Sequence, residues 1–254
     1  MPIRTYGSTM SFGFDWSMTP VVKKLLIANV AAFALMTIAQ AAGLGMWVRS
    51  YLMLTPFAVT RQFALWQLVT YMFLHGGFWH ILFNLFALWM FGSEIERTWG
   101  AQKFLRYYFL TGIGAGLTVV LFGPSSLIPT VGASGAIYGI LLAYGVLFPD
   151  RVIFVPILFF FFIPIPAKYL VMILGGIAFL SALSSPGDFV SHTAHLGGMA
   201  FGLFYLKGTP RSSRSYFDLR NRYYRWKRQR LQRKFEVYMR KRNRDDGPSG
   251  PWVN

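Results

Sequence analysis

Apolar residues run along this chain in blocks too continuous to be the buried stripe of a water-soluble helix. Six blocks read as spans, over residues 21–41, 74–95, 102–122, 133–149, 167–185 and 190–206. Each is of the length an α-helix needs to approach or cross a hydrocarbon layer ~30 Å thick. Their apolarity on all sides predicts helices that face lipid or one another. Residues 42–73 form a long first loop in which Trp47, Tyr51, Phe57 and Trp66 are scattered among polar positions, a pattern suited to the membrane interface. The stretch VIFVPILFFFFIPIP (152–166) is apolar but short, and Pro156, Pro164 and Pro166 oppose a helix through it. An interfacial or re-entrant segment is expected there. The fold class that follows is all-α: a polytopic membrane protein with a six-helix bundle.

Composition agrees with this pattern. The 254 residues are 54% hydrophobic and 13% charged, with a mean hydropathy of +0.43, which is too apolar for an ordinary soluble domain. Cysteine is absent, so there is no disulfide framework, thiol nucleophile or thiolate metal site. The net charge of +16 resembles a nucleic-acid signal until it is located. Fifteen of the 25 Lys and Arg lie in residues 207–254, against four acids. The charge therefore belongs to a tail, and no nucleic-acid partner is expected.

Lys and Arg bias also sets orientation. With six spans and both termini on one side, that side holds Arg4, Lys23, Lys24, Arg97, Lys103, Arg106, Arg151, Lys168 and the tail, and the other holds only Arg49 and Arg61. A seventh crossing through 152–166 would move the tail away from its fellow cations. The expected organisation is a cytoplasmic N-terminal segment (1–20), a six-span core (21–206) and a basic cytoplasmic C-terminal tail (207–254). From Ser215 to Arg244 the tail mixes Tyr223, Tyr224, Trp226, Phe235 and Tyr238 with Arg and Lys. This suits a helix on an anionic lipid surface, or a solvated segment that fixes topology. Residues 1–20 do not read as a cleavable signal, and the first apolar run fits a retained span. A bacterial cytoplasmic membrane is the expected location.

In this orientation spans two, four and six run in the same direction, and their polar residues fall at one depth. His75, His80 and Asn84 lie early in span two, Ser134 opens span four, and His192 and His195 lie early in span six. Polar groups inside a membrane are costly and face a partner or a wet cavity. The serine sits in VGASGAIYG (131–139), between small residues. It could be a packing contact, a back-bonded hydroxyl or a nucleophile. A nucleophilic serine needs a base, and His195 can serve. At a helix start Ser134 also has unpaired backbone N–H groups to hold an oxyanion. His80 and Asn84, at i and i+4, share a helix face and can add donors. Tyr138, one turn below Ser134, could pack on the imidazole of His195. Gly197, Gly198 and Gly202 permit close helix approach. No acid in the outer halves of these spans is placed to orient the base, so a dyad is expected rather than a triad. Zinc is a weaker reading, since HExxH is absent and no carboxylate accompanies the histidines. Neither a metal nor a cofactor is expected.

HILFNLFALWMFG (80–92), EIERTWG (94–100), GASGAIYG (132–139) and AHLGGMAFG (194–202) together resemble the rhomboid family of intramembrane serine proteases, over about residues 20–206. The resemblance implies that Ser134 is the nucleophile and His195 the general base. It implies that His80 and Asn84, with the Ser134 N–H, form the oxyanion hole, and that Tyr138 stacks on the catalytic histidine. Gly198 would let span six pack on span four, and Glu96 would tie loops together at the cytoplasmic side. His75 and His192 acquire no role. The family often has Trp-Arg late in the first loop, where this chain has Trp66-Gln67, so Arg-dependent anchoring of that loop is not expected. Implied substrates are transmembrane proteins cleaved within or next to the bilayer, with span five and the loop SSPGDF (184–189) as moving parts. Two rivals remain: a catalytically silent rhomboid-like protein that binds membrane clients, and a small transporter using the histidines as a proton relay.

Overall fold

The computed structural model describes residues 17–157, 161–184, 189–208, 235–236 and 238–239. Residues 185–188 of the SSPGDF loop and nearly all of the tail, with the surface helix expected over 215–244, lie outside the described residues. The bundle belongs to the first of two compact units, Met1–Leu206 and Lys207–Asn254.

Helix α1 (Pro20–Ala41) starts on a proline in its first turn, where a missing N–H costs nothing. The loop after it folds into three short helices, α2 (Gly45–Leu52), α3 (Pro56–Arg61) and α4 (Gln67–Thr70), and a 3₁₀ turn at Tyr71–Phe73. Helix α5 (Phe78–Ala87) passes through a π-type turn (Leu88–Gly92) into α6 (Ser93–Trp99). Gly100, at φ +82°, then lets the chain reverse directly into α7 (Ala101–Phe122). Helices α8 (Ser134–Leu147), α9 (Ala167–Ser184) and α10 (Phe189–Gly208) follow.

The second helical run begins at Phe78, not at residue 74, because Tyr71–Phe73 ends the preceding loop and Leu74 is extended. His75 therefore precedes the helix. The apolar stretch after α8 is a two-stranded antiparallel hairpin, β1 (Val152–Ile157) with β2 (Phe161–Pro166), so the chain is mostly but not wholly helical. Prolines that break a helix are tolerated at the edge of a hairpin.

Helix α7 is the hub. Its Gly112, Gly114, Ala115 and Gly116 are buried, and a methyl at Gly112 or Gly114 would strike Met72 or Phe201 respectively. Small residues here allow α8 and α10 to approach where lipid offers no hydrophobic drive for association. Buried phenols then fix the approach. Tyr107 Oη donates to the Gly139 carbonyl at 2.7 Å, and Tyr71 Oη to the Gly112 carbonyl at 2.6 Å.

The first loop is stitched to the segment that leads into α8. Leu54 and Thr130 exchange backbone hydrogen bonds at 3.1 and 2.8 Å, and Phe57 N donates to Ser126 O at 3.0 Å. Gln67, at the position where Arg is frequent in the resembling family, is 1% exposed. Its Oε1 accepts from Thr55 N at 2.9 Å, and its Nε2 donates to Ser50 O at 3.1 Å. A neutral amide thus anchors the loop without a buried charge.

At the opposite end of the bundle the Glu96 carboxylate caps α1. It accepts from Val21 N at 3.0 Å, Val22 N at 2.9 Å and the Thr19 hydroxyl. Anionic capping of a helix start satisfies orphan N–H groups and complements the dipole. Glu96→Gln keeps the volume but turns an NH₂ toward donors. We expect it to lower stability by about 2 kcal/mol, read as a fall in the thermal unfolding midpoint in detergent.

Candidate active site

Helix α8 is 14 residues long, which at ~1.5 Å per residue gives ~21 Å, well short of a ~30 Å hydrocarbon layer. Its first residue is Ser134, which is half-buried between buried Ala133 and Gly135. The N–H groups of Ser134, Gly135 and Ala136 precede the first intrahelical bond, Ile137 N to Ala133 O at 3.0 Å. Gly132, at φ +120°, turns the chain into this start. A Cβ there would be strained and would sit 2.8 Å from His80 Nε2. Gly132 N donates to Tyr71 O at 2.9 Å, which ties the turn to the first loop.

Helix α10 brings the base. His195 Nε2 lies 2.9 Å from Ser134 Oγ, the reach a proton transfer requires. Tyr138, one turn into α8, stacks on the His195 ring at 4.1 Å between centroids and 5° between planes. His195 Nδ1 is buried and meets no acceptor among the described residues. The Tyr138 stack thus supports one face of the ring.

Close approach of α8 and α10 rests on Gly198. Its Cα faces the backbone of Gly135, and a methyl at 198 would run into the Gly135 carbonyl oxygen.

His80 stands on the far wall of the same cavity. Gly76 N donates to its Nδ1 at 3.3 Å, so the neutral ring carries its proton on Nε2, the nitrogen that faces Gly132. The cavity is about 220 Å³ and is lined by Tyr71, His80, Thr130, Val131, Gly132, Ser134, Tyr138, Ala194 and His195. Asn84, one turn beyond His80, is buried, and its Nδ2 meets no acceptor among the described residues; it is not part of the cavity wall. His75 packs edge-on against His80 at 5.1 Å, and His192 against His195 at 6.0 Å. Neither lines the cavity. Glu96 is at the other end of the bundle. Gly132, Gly76 and Tyr71 contribute through their backbones. Only Gly132 had a signal in the sequence, as a glycine two residues before a candidate serine.

A family model for the Rhomboid domain matches residues 62–211, more than half of the chain. The chain belongs to the rhomboid family. This rhomboid is an integral membrane protein, with three described helices long and apolar enough to cross a membrane. It is 31% identical over 191 residues to "Rhomboid protein 1, mitochondrial" of Saccharomyces cerevisiae, a match covering 73% of this chain and 52% of the relative. It is 34% identical over 141 residues to "Rhomboid protease GluP" of Bacillus subtilis, covering 55% of this chain and 25% of the relative. It is 32% identical over 139 residues to "Putative rhomboid protease YdcA" of Bacillus subtilis, covering 54% and 63% respectively. The matches thus cover about half of the yeast relative and a quarter of GluP.

Proposed function

We propose that this rhomboid is an intramembrane serine endopeptidase working through a Ser134–His195 dyad. The observation that carries the reading is the 2.9 Å Oγ–Nε2 contact inside a cavity that also holds donors for an oxyanion. His195 Nε2 takes the Ser134 proton as Oγ attacks a peptide carbonyl. The tetrahedral oxyanion is met by the Ser134 N–H and by His80 Nε2–H; the Asn84 amide, off the cavity wall but buried with its Nδ2 unpartnered among the described residues, is assigned as a third donor on the family resemblance. The imidazolium then gives its proton to the departing amine, leaving an acyl-serine. Water, deprotonated by His195, hydrolyses that ester and returns the hydroxyl. Tyr138 holds the ring in plane throughout.

Substrates on this reading are transmembrane proteins whose helix unwinds locally to offer a carbonyl, so helix-destabilising residues near the Ser134 end are favoured. The core is proposed to cross the bilayer six times over 21–206, with both termini and the basic tail on the cation-rich face. The tail would lie against anionic lipid. The membrane is proposed to be a bacterial cytoplasmic one.

The reading is tested by fluorophosphonate labelling of detergent-purified protein, together with cleavage of a single-pass reporter in proteoliposomes. Reporter binding with neither labelling nor cleavage would replace it with a client-binding function. If the donors act as assigned, His80→Ala and Asn84→Ala each lower kcat by roughly 10²-fold with little change in KM. Equal losses in reporter affinity would remove them from the oxyanion hole.

A further inference from the structure

The hairpin between α8 and α9 does nothing in the chemistry above, yet its sequence is unusual for a surface hairpin. From Val152 to Ala167 no residue is polar or charged. The register pairs Ile153 with Ile165 and Val155 with Ile163 on one face, and Val152 with Pro166 and Phe154 with Pro164 on the other. The first face packs inward on the β1 side, where Ile153 is part of the core and Val155 lies against it, while Ile163 at its β2 edge is 45% exposed. The second face points away from the protein, with Phe154 55% and Phe162 58% exposed and Val152 and Pro164 exposed beside them. An antiparallel hairpin with one face on a core and the other in water alternates apolar with polar. Here both faces are apolar, so the medium beyond the second face is not water.

The edges give the same answer. Ala167 N donates to Arg151 O at 2.9 Å, which sets the phase of the ladder. Pair 151/167 is hydrogen-bonded, so 152/166, 154/164 and 156/162 are the pairs whose backbone groups point away from the partner strand. Pro156, Pro164 and Pro166 all fall in these pairs and remove half of the outward N–H groups. On an edge in water such prolines would only block further pairing. Under an apolar outer face they also delete donors that hydrocarbon could not satisfy.

The root of the hairpin is polar and fixed. Arg151 bonds Glu94 at 2.7 Å, Lys168 bonds Asp150 at 3.0 Å, and Lys168 N donates to Pro149 O at 3.1 Å. Charge at the root and none beyond it means that the apolar length departs from the polar boundary into the bilayer. The start of α9, which follows β2 directly, also exposes apolar side chains, at Tyr169, Met172 and Ile173.

We propose that the β1–β2 hairpin is a lipid anchor. Its Val152–Phe154–Phe162–Pro164 face contacts acyl chains of the leaflet at the end of the bundle opposite Ser134, and it seats the start of α9. The inference does not depend on protease activity.

Because the native chain has no cysteine, single sites can be labelled cleanly. Phe154→Cys and Phe162→Cys are spin-labelled and reconstituted in phosphatidylcholine–phosphatidylglycerol vesicles, with exposed Gln102→Cys as the aqueous reference and Val152→Cys as a second position on the face should either Phe variant fail to elute as a single species. Collision with oxygen and with a neutral nickel chelate is measured by electron paramagnetic resonance. Oxygen should exceed the chelate by roughly tenfold at the hairpin sites, and the order should reverse at 102, because hydrocarbon concentrates oxygen and excludes the polar chelate. Chelate access at 154 and 162 matching that at 102 would place the hairpin in water and overturn the proposal. Exclusion of both reagents would overturn it too, with spin–spin broadening then identifying a second copy as the covering partner and its absence identifying the protein's own fold.

Discussion

Ser134→Ala and His195→Ala should each abolish fluorophosphonate labelling and reduce cleavage of a transmembrane reporter by at least ~10³-fold. Their Oγ and Nε2 atoms lie 2.9 Å apart, and in the proposed dyad one proton passes between them, so their losses should not add. The double variant should be no slower than either single one, since a serine without its base and a base without its serine are equally idle. Reporter affinity should change little, because neither side chain is needed to hold a substrate helix in the bilayer. Both variants should elute and melt like the wild type: Ser134→Ala removes one partly buried hydroxyl, and the Tyr138 wall remains. Strictly additive effects would mean that Ser134 and His195 act in separate steps. Cleavage surviving in Ser134→Ala would pass the nucleophile role to water or another residue.

Gly198→Val should be nearly as damaging, for a mechanical reason. The obstacle to a side chain at 198 is the carbonyl oxygen of Gly135, which is backbone and cannot rotate aside. Helices α8 and α10 must separate, and Ser134 and His195 ride on those two helices, one and three residues from the contact. Misplacement by about 1 Å costs on the order of 10²-fold in rate, and opening a packed interface lowers the melting midpoint by several degrees. Gly176→Val in α9 is the control, because nothing lies within 4 Å of a Cβ there. It should leave rate and midpoint unchanged apart from a small propensity effect. If Gly198→Val melts earlier but keeps its rate, the dyad is positioned by something other than the α8–α10 contact.

Much of this arrangement is legible in the sequence because a membrane simplifies the reading. Helices must satisfy their backbones internally, so the helical blocks stand out, and the observed α1 and α7 differ from the expected spans by a residue at most. The Ser134–Tyr138 spacing of four places both residues on one helix face, so a stack on His195 could be anticipated. Other features depend on partners far away in the chain. The hairpin is hidden because a strand buried on one face and lipid-covered on the other has no period-two signal, while its prolines read only as helix breakers. The proton position on His80 depends on the Gly76 N–H, a backbone donor that composition does not mark. Anchoring by Gln67 depends on Thr55 and Ser50, and from the sequence alone Gln67 looked like the loss of an arginine. Glu96 was singled out only through resemblance, since nothing local says that a carboxylate there meets the first turn of α1.

The shortness of α8 turns the bundle into a ruler. The opening residue of α8 is fixed to the protein and not to the bilayer surface, so the distance from that surface to Ser134 varies with lipid thickness. A substrate helix keeps its own apolar stretch matched to the same bilayer. When the hydrocarbon layer thickens, the depth of the serine below the surface grows, and each ~1.5 Å of added depth moves the bond in register by one residue along a helical substrate. If the proposed protease function holds, the scissile position is a joint property of protein and lipid, and one substrate reconstituted in acyl chains of graded length should be cut at a graded series of peptide bonds.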